Sequence, residues 1–162
     1  MKRIISGFLV IVSIVMSTTI NVPDDYSTIQ EGIDASSDGD TVLVSQGSYV
    51  ENLILEKEIV LASHAIYDDL DSQWLDNDNI NSTTINGSHS GSCLIVRDGN
   101  IQPAIIGFTF QDGVGTSMIV VDCDPYPVRS GGAILLYKAY PTIMYNRFIN
   151  NGFTPGLSGG GT

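Results

Sequence analysis

Apolar and polar residues alternate along this chain in short runs, and nearly every run ends in Gly, Asn or Asp. That rhythm predicts short strands separated by sharp bends. Residues 41–44 (Thr-Val-Leu-Val) read as a strand, with further short strands at 50–55 and 59–62 and a turn at 46–49 between them. Strand patterns resume at 83–85, 93–96, 105–110, 118–121, 133–137, 142–145 and 148–149. One helix is predicted: Ser27-Thr28-Ile29-Gln30 reads as a capping box with Ser27 as N-cap and Gln30 three residues on. Ile29 and Ile33 share one face, and the turn cluster at 36–40 ends the helix near Ala35. Residues 67–82 are polar and acidic and read as a loop or excursion.

The strand pattern also repeats. Residues 95–113 lie over 134–152 at an offset of 39, which sets Ile95 against Ile134, Ile105 against Met144, Phe110 against Ile149 and Gly113 against Gly152. Ser130-Gly131-Gly132-Ala133 lies over residues 158–161 at an offset of 28. A coil of 28 residues, with an insertion over 114–130 absorbing the difference of 11, is the signature of a solenoid. In such a stack each coil buries its inner face only against its neighbours, so the open edge needs a cap, and the helix at 28–35 suits that task.

Lys2 and Arg3 stand before an apolar run over 4–16, and Ser17, Thr18 and Thr19 follow it. A basic head, a short apolar stretch and a small-residue exit describe a secretory leader over residues 1–19, although no A-x-A is present to mark the cut. The run is short for a bilayer span, and no later run approaches that length, so the processed chain is expected to be extracytoplasmic and free of membrane. Its compartment permits disulfides; Cys93 and Cys123 are either a pair or two small buried thiols. The chain of 162 residues carries 7 Lys+Arg against 18 Asp+Glu, a net charge of −11, which loss of Lys2 and Arg3 takes to −13. That charge, with Lys57, Arg97, Arg129, Lys138 and Arg147 scattered, argues against a nucleic-acid partner.

Residues 20–34 (Ile-Asn-Val-Pro-Asp-Asp-Tyr-Ser-Thr-Ile-Gln-Glu-Gly-Ile-Asp), 38–44 (Asp-Gly-Asp-Thr-Val-Leu-Val) and 47–53 (Gly-Ser-Tyr-Val-Glu-Asn-Leu) together resemble the opening of right-handed parallel β-helix proteins of the pectin-lyase-like superfamily. Residues 105–109, 130–134 and 141–148 look like that family's rung pieces. The resemblance covers residues 20–162 and implies an all-β fold, a right-handed parallel β-helix with a short N-terminal capping helix. It also implies more rungs than fit here, so that 20–162 is expected to be the cap and first rungs of a solenoid truncated at residue 162. The fold hosts lyases, hydrolases, esterases and binding modules alike, so activity has to be argued from residues.

Asp69, Asp71, Asp76 and Asp78 are candidate oxygen ligands for Ca2+, set against a solvated acidic loop. Asp98 and Asp112 each precede Gly, which suits turns as well as carboxylate pairs; Asp122 and Asp124 are further acidic candidates. Gln111-Asp112 is similar to the Gln-Asp of pectin methylesterases, but Gly113 follows it in place of that family's Thr, and the downstream Asp and Arg motifs are missing. Arg97, Arg129, Lys138 and Arg147 are the candidates for a lyase base, or ordinary solubilising charges. Tyr137, Tyr140 and Tyr145 are candidates for stacking on sugar rings. No catalytic residue is assigned. The expected function is an exported repeat scaffold that binds polysaccharide or a cell-surface partner, requiring no cofactor except, for acidic polysaccharide, bridging Ca2+. The alternative is the N-terminal part of a polysaccharide lyase or esterase whose active site lies further along.

Overall fold

The computed structural model describes residues 16–118 and 128–152. Residues 1–15, Asp122, Cys123, Asp124 and the Gly-rich 158–161 segment lie outside the described residues, and with them the expected leader, the cysteine pairing and the 28-residue offset. The chain is all-β in class. It opens with β1 (Thr19–Val22), α1 (Ile29–Ala35), β2 (Thr41–Val44), β3 (Gly47–Val50), β4 (Leu53–Leu55) and β5 (Val60–Ser63). An insertion follows, built from a 3-10 turn (His64–Tyr67), α2 (Leu70–Gln73), a second 3-10 turn (Trp74–Asp76) and α3 (Asp78–Ser82). Next come β6 (Thr83–Asn86), β7 (Leu94–Arg97), β8 (Ala104–Ile106), β9 (Thr109–Gln111), β10 (Thr116–Met118) and β11 (Val128–Ser130). The described part ends with β12 (Ile134–Tyr137), β13 (Thr142–Met144) and β14 (Arg147–Ile149).

Three parallel sheets carry the architecture, in the orders β1-β2-β5-β8-β13, β3-β6-β9-β14 and β4-β7-β12, and β10 pairs antiparallel with β11. Parallel neighbours cannot be joined by a tight hairpin; β1 and β2 are joined through α1, and from β2 onward the chain passes through the other two sheets before adding the next strand to the first. Equivalent residues then stack. Ile20, Val42, Leu61, Ile105 and Ile143 form one column across the first sheet. Tyr49, Ile85, Phe110 and Phe148 form a second, and the Phe110 and Phe148 rings lie 5.6 Å apart and nearly parallel. Leu53, Leu94 and Ile134 form a third, with Leu55, Val96 and Leu136 two residues along. Val42, Leu61, Ile105, Ile85, Phe110, Leu53 and Leu94 are fully buried, so one core runs the length of the stack. Burial of each such side chain is worth about 1.5–3 kcal/mol against exposure.

α1 closes one end of this core. Its N-cap is Thr28, one residue later than the sequence suggests. The Thr28 hydroxyl accepts from Glu31 N at 3.2 Å, and Glu31 accepts from Thr28 N at 3.2 Å and from Ser27 Oγ at 2.8 Å. The carboxylate of Glu31 is a stronger acceptor than the amide of Gln30, and it takes the box. Gln30 is released to pair with the unpaired edge of β4, donating to Ile54 O at 3.1 Å and accepting from Ile54 N at 2.8 Å. The side-chain amide thus imitates a strand on an open edge.

Three other expectations shift. Residues 46–49 are largely strand, because Tyr49 must join the Ile85–Phe110 column. The 67–82 excursion holds short helices, and Leu70 and Ile80 are buried with Ala65 in a second small core against Ile106 and Tyr145. The strand expected over 105–110 breaks at Gly107 and Phe108 into β8 and β9. Gly107 has φ +82°, and a Cβ there would meet Ser63 Oγ at 2.7 Å.

The repeat offset also resolves. Leu135 pairs with Ile95, an offset of 40, whereas Ile143 pairs with Ile105 and Phe148 with Phe110, offsets of 38. The loop from β7 to β8 is two residues longer than that from β12 to β13, and the sequence alignment averages the two values.

Candidate functional site

A groove of about 410 Å³ lies between α1 and the outer face of the β4-β7-β12 sheet. The pleat creates it: Leu53 and Leu55 point into the core, so Ile54 between them must face out. Ile54 lies in the groove wall beside Ile33, Gln30 and Asn52, and Asp34, Glu56, Lys57 and Arg97 add two charges of each sign. Arg97 donates from Nε to Glu56 at 2.6 Å and lies 3.5 Å from Asp98, with both members of the Arg97–Glu56 pair about half exposed. Lys57 donates to the carbonyls of Ile33, Asp34 and Ser36 at 2.9, 2.7 and 2.6 Å, closing the C-terminus of α1. At the other end of the helix Glu51 accepts from Ile29 N and Gln30 N, each at 3.0 Å. The groove therefore combines an apolar patch, amide groups and a near-neutral charge balance.

The acidic residues singled out in the insertion are not brought together. Asp69 accepts from Ser72 Oγ at 2.8 Å, Asp71 accepts from Tyr145 Oη at 2.7 Å, and Asp76 and Asp78 stand exposed on separate turns. That bond from Asp71 raises the pKa of the Tyr145 hydroxyl. The carboxylate with most partners here is Asp68, which accepts from Asn77 Nδ2 and Asn79 Nδ2 at 2.8 Å each. Those amides hold its pKa below the usual aspartate value. Among the described residues no three His, Cys, Asp or Glu side chains converge as metal ligands would. The short helices explain the dispersal, because each carboxylate serves its own turn.

The basic residues are likewise occupied. Arg129 donates to Gly115 O at 3.0 Å, Arg147 to Asn81 Oδ1, and Lys138 stands 5.3 Å from the centre of the Tyr137 ring. Asp98 and Asp112 take left-handed backbone at φ 66° and 57°, as corner residues do. Gln111 Nε2 and Asn86 Nδ2 both donate to Asp112 Oδ2, at 2.9 and 3.1 Å, so that carboxylate is occupied by its neighbours. Asn146 and Asn151 bridge neighbouring strand segments: Asn146 donates to Ile105 O and accepts from Phe108 N, and Asn151 donates to Phe110 O and accepts from Gly113 N. Tyr137 and Tyr140 are exposed, and Tyr145 is spent on Asp71.

Sequence reasoning missed the groove. Gln30 reads only as part of a helix cap, Glu51 and Glu56 carry no motif of their own, and Lys57 reads only as a scattered charge. The one available signal was Ile54, an apolar residue at an outward position between two inward leucines. No protein-family model, curated protein or solved structure matches this chain.

Proposed function

We propose that the three parallel sheets are the faces of a right-handed parallel β-helix, similar to the pectin-lyase-like proteins, and that the chain is an exported repeat scaffold that binds carbohydrate without turning it over. The stacked inward columns support the solenoid, since each sheet gains one strand per pass and inserted segments leave the stack intact. Parallel strand-crossover-strand units are right-handed in about 98% of cases, which supports the hand.

The observation that carries the binding reading is the division of labour among the charges. All five described basic side chains are committed to structural partners. The groove beside α1 nonetheless remains open, with Ile54 in its wall for the flat face of a sugar. A lyase or esterase needs a base or nucleophile facing an open site, and Arg97 is neutralised by Glu56.

The test is a binding and turnover assay of the exported protein on neutral and acidic polysaccharides, with and without Ca2+. Retention on at least one polysaccharide, weakened at least fivefold by Ile54→Asp and accompanied by no new reducing ends, unsaturated product or ester release, is expected. Product formation by this chain would overturn the non-catalytic reading, and no retention on any polysaccharide would overturn the carbohydrate reading.

A further inference from the structure

The first strand begins with an arrangement that no part of the binding reading uses. Thr18 donates to Asp40 Oδ1 from its backbone N at 2.8 Å and from its hydroxyl at 2.8 Å. Asp40 Oδ2 accepts from Ser37 N at 2.8 Å, and the residue is only 7% exposed. Thr18 O in turn accepts from Thr41 N at 2.8 Å, the first rung of the β1–β2 ladder. Among the described residues, Thr18 is therefore the first that the sheet holds. It is itself exposed, and Met16 before it is 78% exposed.

We infer that the leader is removed between Ser17 and Thr18, and that the α-ammonium so created sits against the Asp40 carboxylate as an ion pair. The inference rests on the reading of export above. Peptide hydrolysis consumes one water: the Ser17 carbonyl leaves as a carboxylate on the released leader, and the Thr18 nitrogen keeps the peptide electron pair and becomes an ammonium at neutral pH. Thr18 N then donates to Asp40 as a charged group rather than a neutral amide, which shortens and strengthens the bond.

Two independent lines select this bond over its neighbours. Chemically, it places Ser17, the first of the small residues that end the expected leader, immediately before the cut. Structurally, a cut after Thr18 or Thr19 deletes both Thr18 donors to a carboxylate that is nine-tenths buried, and also the acceptor of Thr41 N. A buried carboxylate that loses partners is strongly destabilising. A cut before Ser17 leaves the pairing to an ordinary amide.

The experiment expresses the full chain in a secreting bacterial host, recovers the exported protein and determines its N-terminus by intact mass and terminal sequencing. Thr18 as first residue is the expected result. An exported protein beginning at another residue overturns this inference and leaves export standing. A chain that retains Met1 overturns export and this inference together. As a second readout, the processed protein is melted before and after selective acetylation of its α-amine, alongside Asp40→Asn. Acetylation is expected to lower the melting temperature of the parent and to leave Asp40→Asn unmoved. An unmoved parent would overturn the ion pair.

Discussion

Gly113 illustrates how tightly neighbouring backbone segments approach at single residues. A Cβ there would stand 2.2 Å from Gly132 O and 2.9 Å from Cys93 Sγ, and one of these is backbone that cannot swing aside. Gly113→Ala is expected to cost about 3 kcal/mol in a denaturant melt, at the upper end for overpacking; a loss under about 1 kcal/mol would mean that the coils can part. Asp40 gives a pH prediction. Hydrogen bonds from Thr18 N, Ser37 N and the Thr18 hydroxyl, with the charge of Lys57, depress its pKa below 3.8. A depressed folded pKa means support that is complete above the unfolded value and is lost as pH falls through the folded one. Acid titration of Asp40→Asn should therefore show a shallower loss of stability below about pH 4 than the parent. Parallel curves would remove Asp40 from the acid transition. At corners, the backbone conformation persists while the residue changes: Asp98 and Lys138 occupy matching corners at φ 66° and 52°, and Asp112 and Asn150 do so at 57° and 53°. Asp-Gly pairs made some of these corners legible. Lys138 and Tyr145, both left-handed, carried no such signal.

Among elements, α1 is the one whose existence and end could be read from local chemistry alone, because capping and turn residues act within a few positions. Its docking could not be read. Glu51 and Lys57 clamp its two ends from 22 and 24 residues away in sequence. Glu51→Ala and Lys57→Met are each expected to destabilise by about 1–2 kcal/mol, the scale of a hydrogen bond to a charged group. Both should also raise amide exchange in β4, because Gln30 would lose its hold on Ile54; unchanged exchange there would detach the helix from the edge it covers. The insertion after β5 is the opposite case. Its acidic composition reads as a loop, and Leu70 and Ile80 are too few and too far apart to show a helical period. They are buried only because the turn places them over Ala65 and Ile106. Its four separated carboxylates predict that millimolar Ca2+ leaves the melting temperature unchanged, and a concentration-dependent rise would return the ion to them.

Among the described strands, burial falls from β2, β5 and β8 toward β13 and β14. Val42, Leu61 and Ile105 are fully buried, whereas Ile143 at the far end of their column is 37% exposed and Phe148 of the next column is 53% exposed. In a stack held by nearest-neighbour contacts, protection follows the number of covered faces. Hydrogen exchange is expected to be slowest in β2, β5 and β8 and fastest in β13 and β14. Uniform protection would show a single cooperative block instead.

Local physics was enough to determine the short strands, the Gly- and Asp-marked corners, the helix ending at Ala35 and the existence of a repeat. Each of these depends on neighbours a few residues apart. Register required the tertiary structure, because side chains alternate with a period of two and a slip of one residue reverses every face. An offset of 39 sets Phe110 against Ile149, but the sheet stacks it on Phe148, and only the lengths of the intervening loops separate the two. The same dependence hid the groove: Ile54 faces outward because Leu53 and Leu55 claim the core, and Arg97 becomes its neighbour only when β7 lies down beside β4.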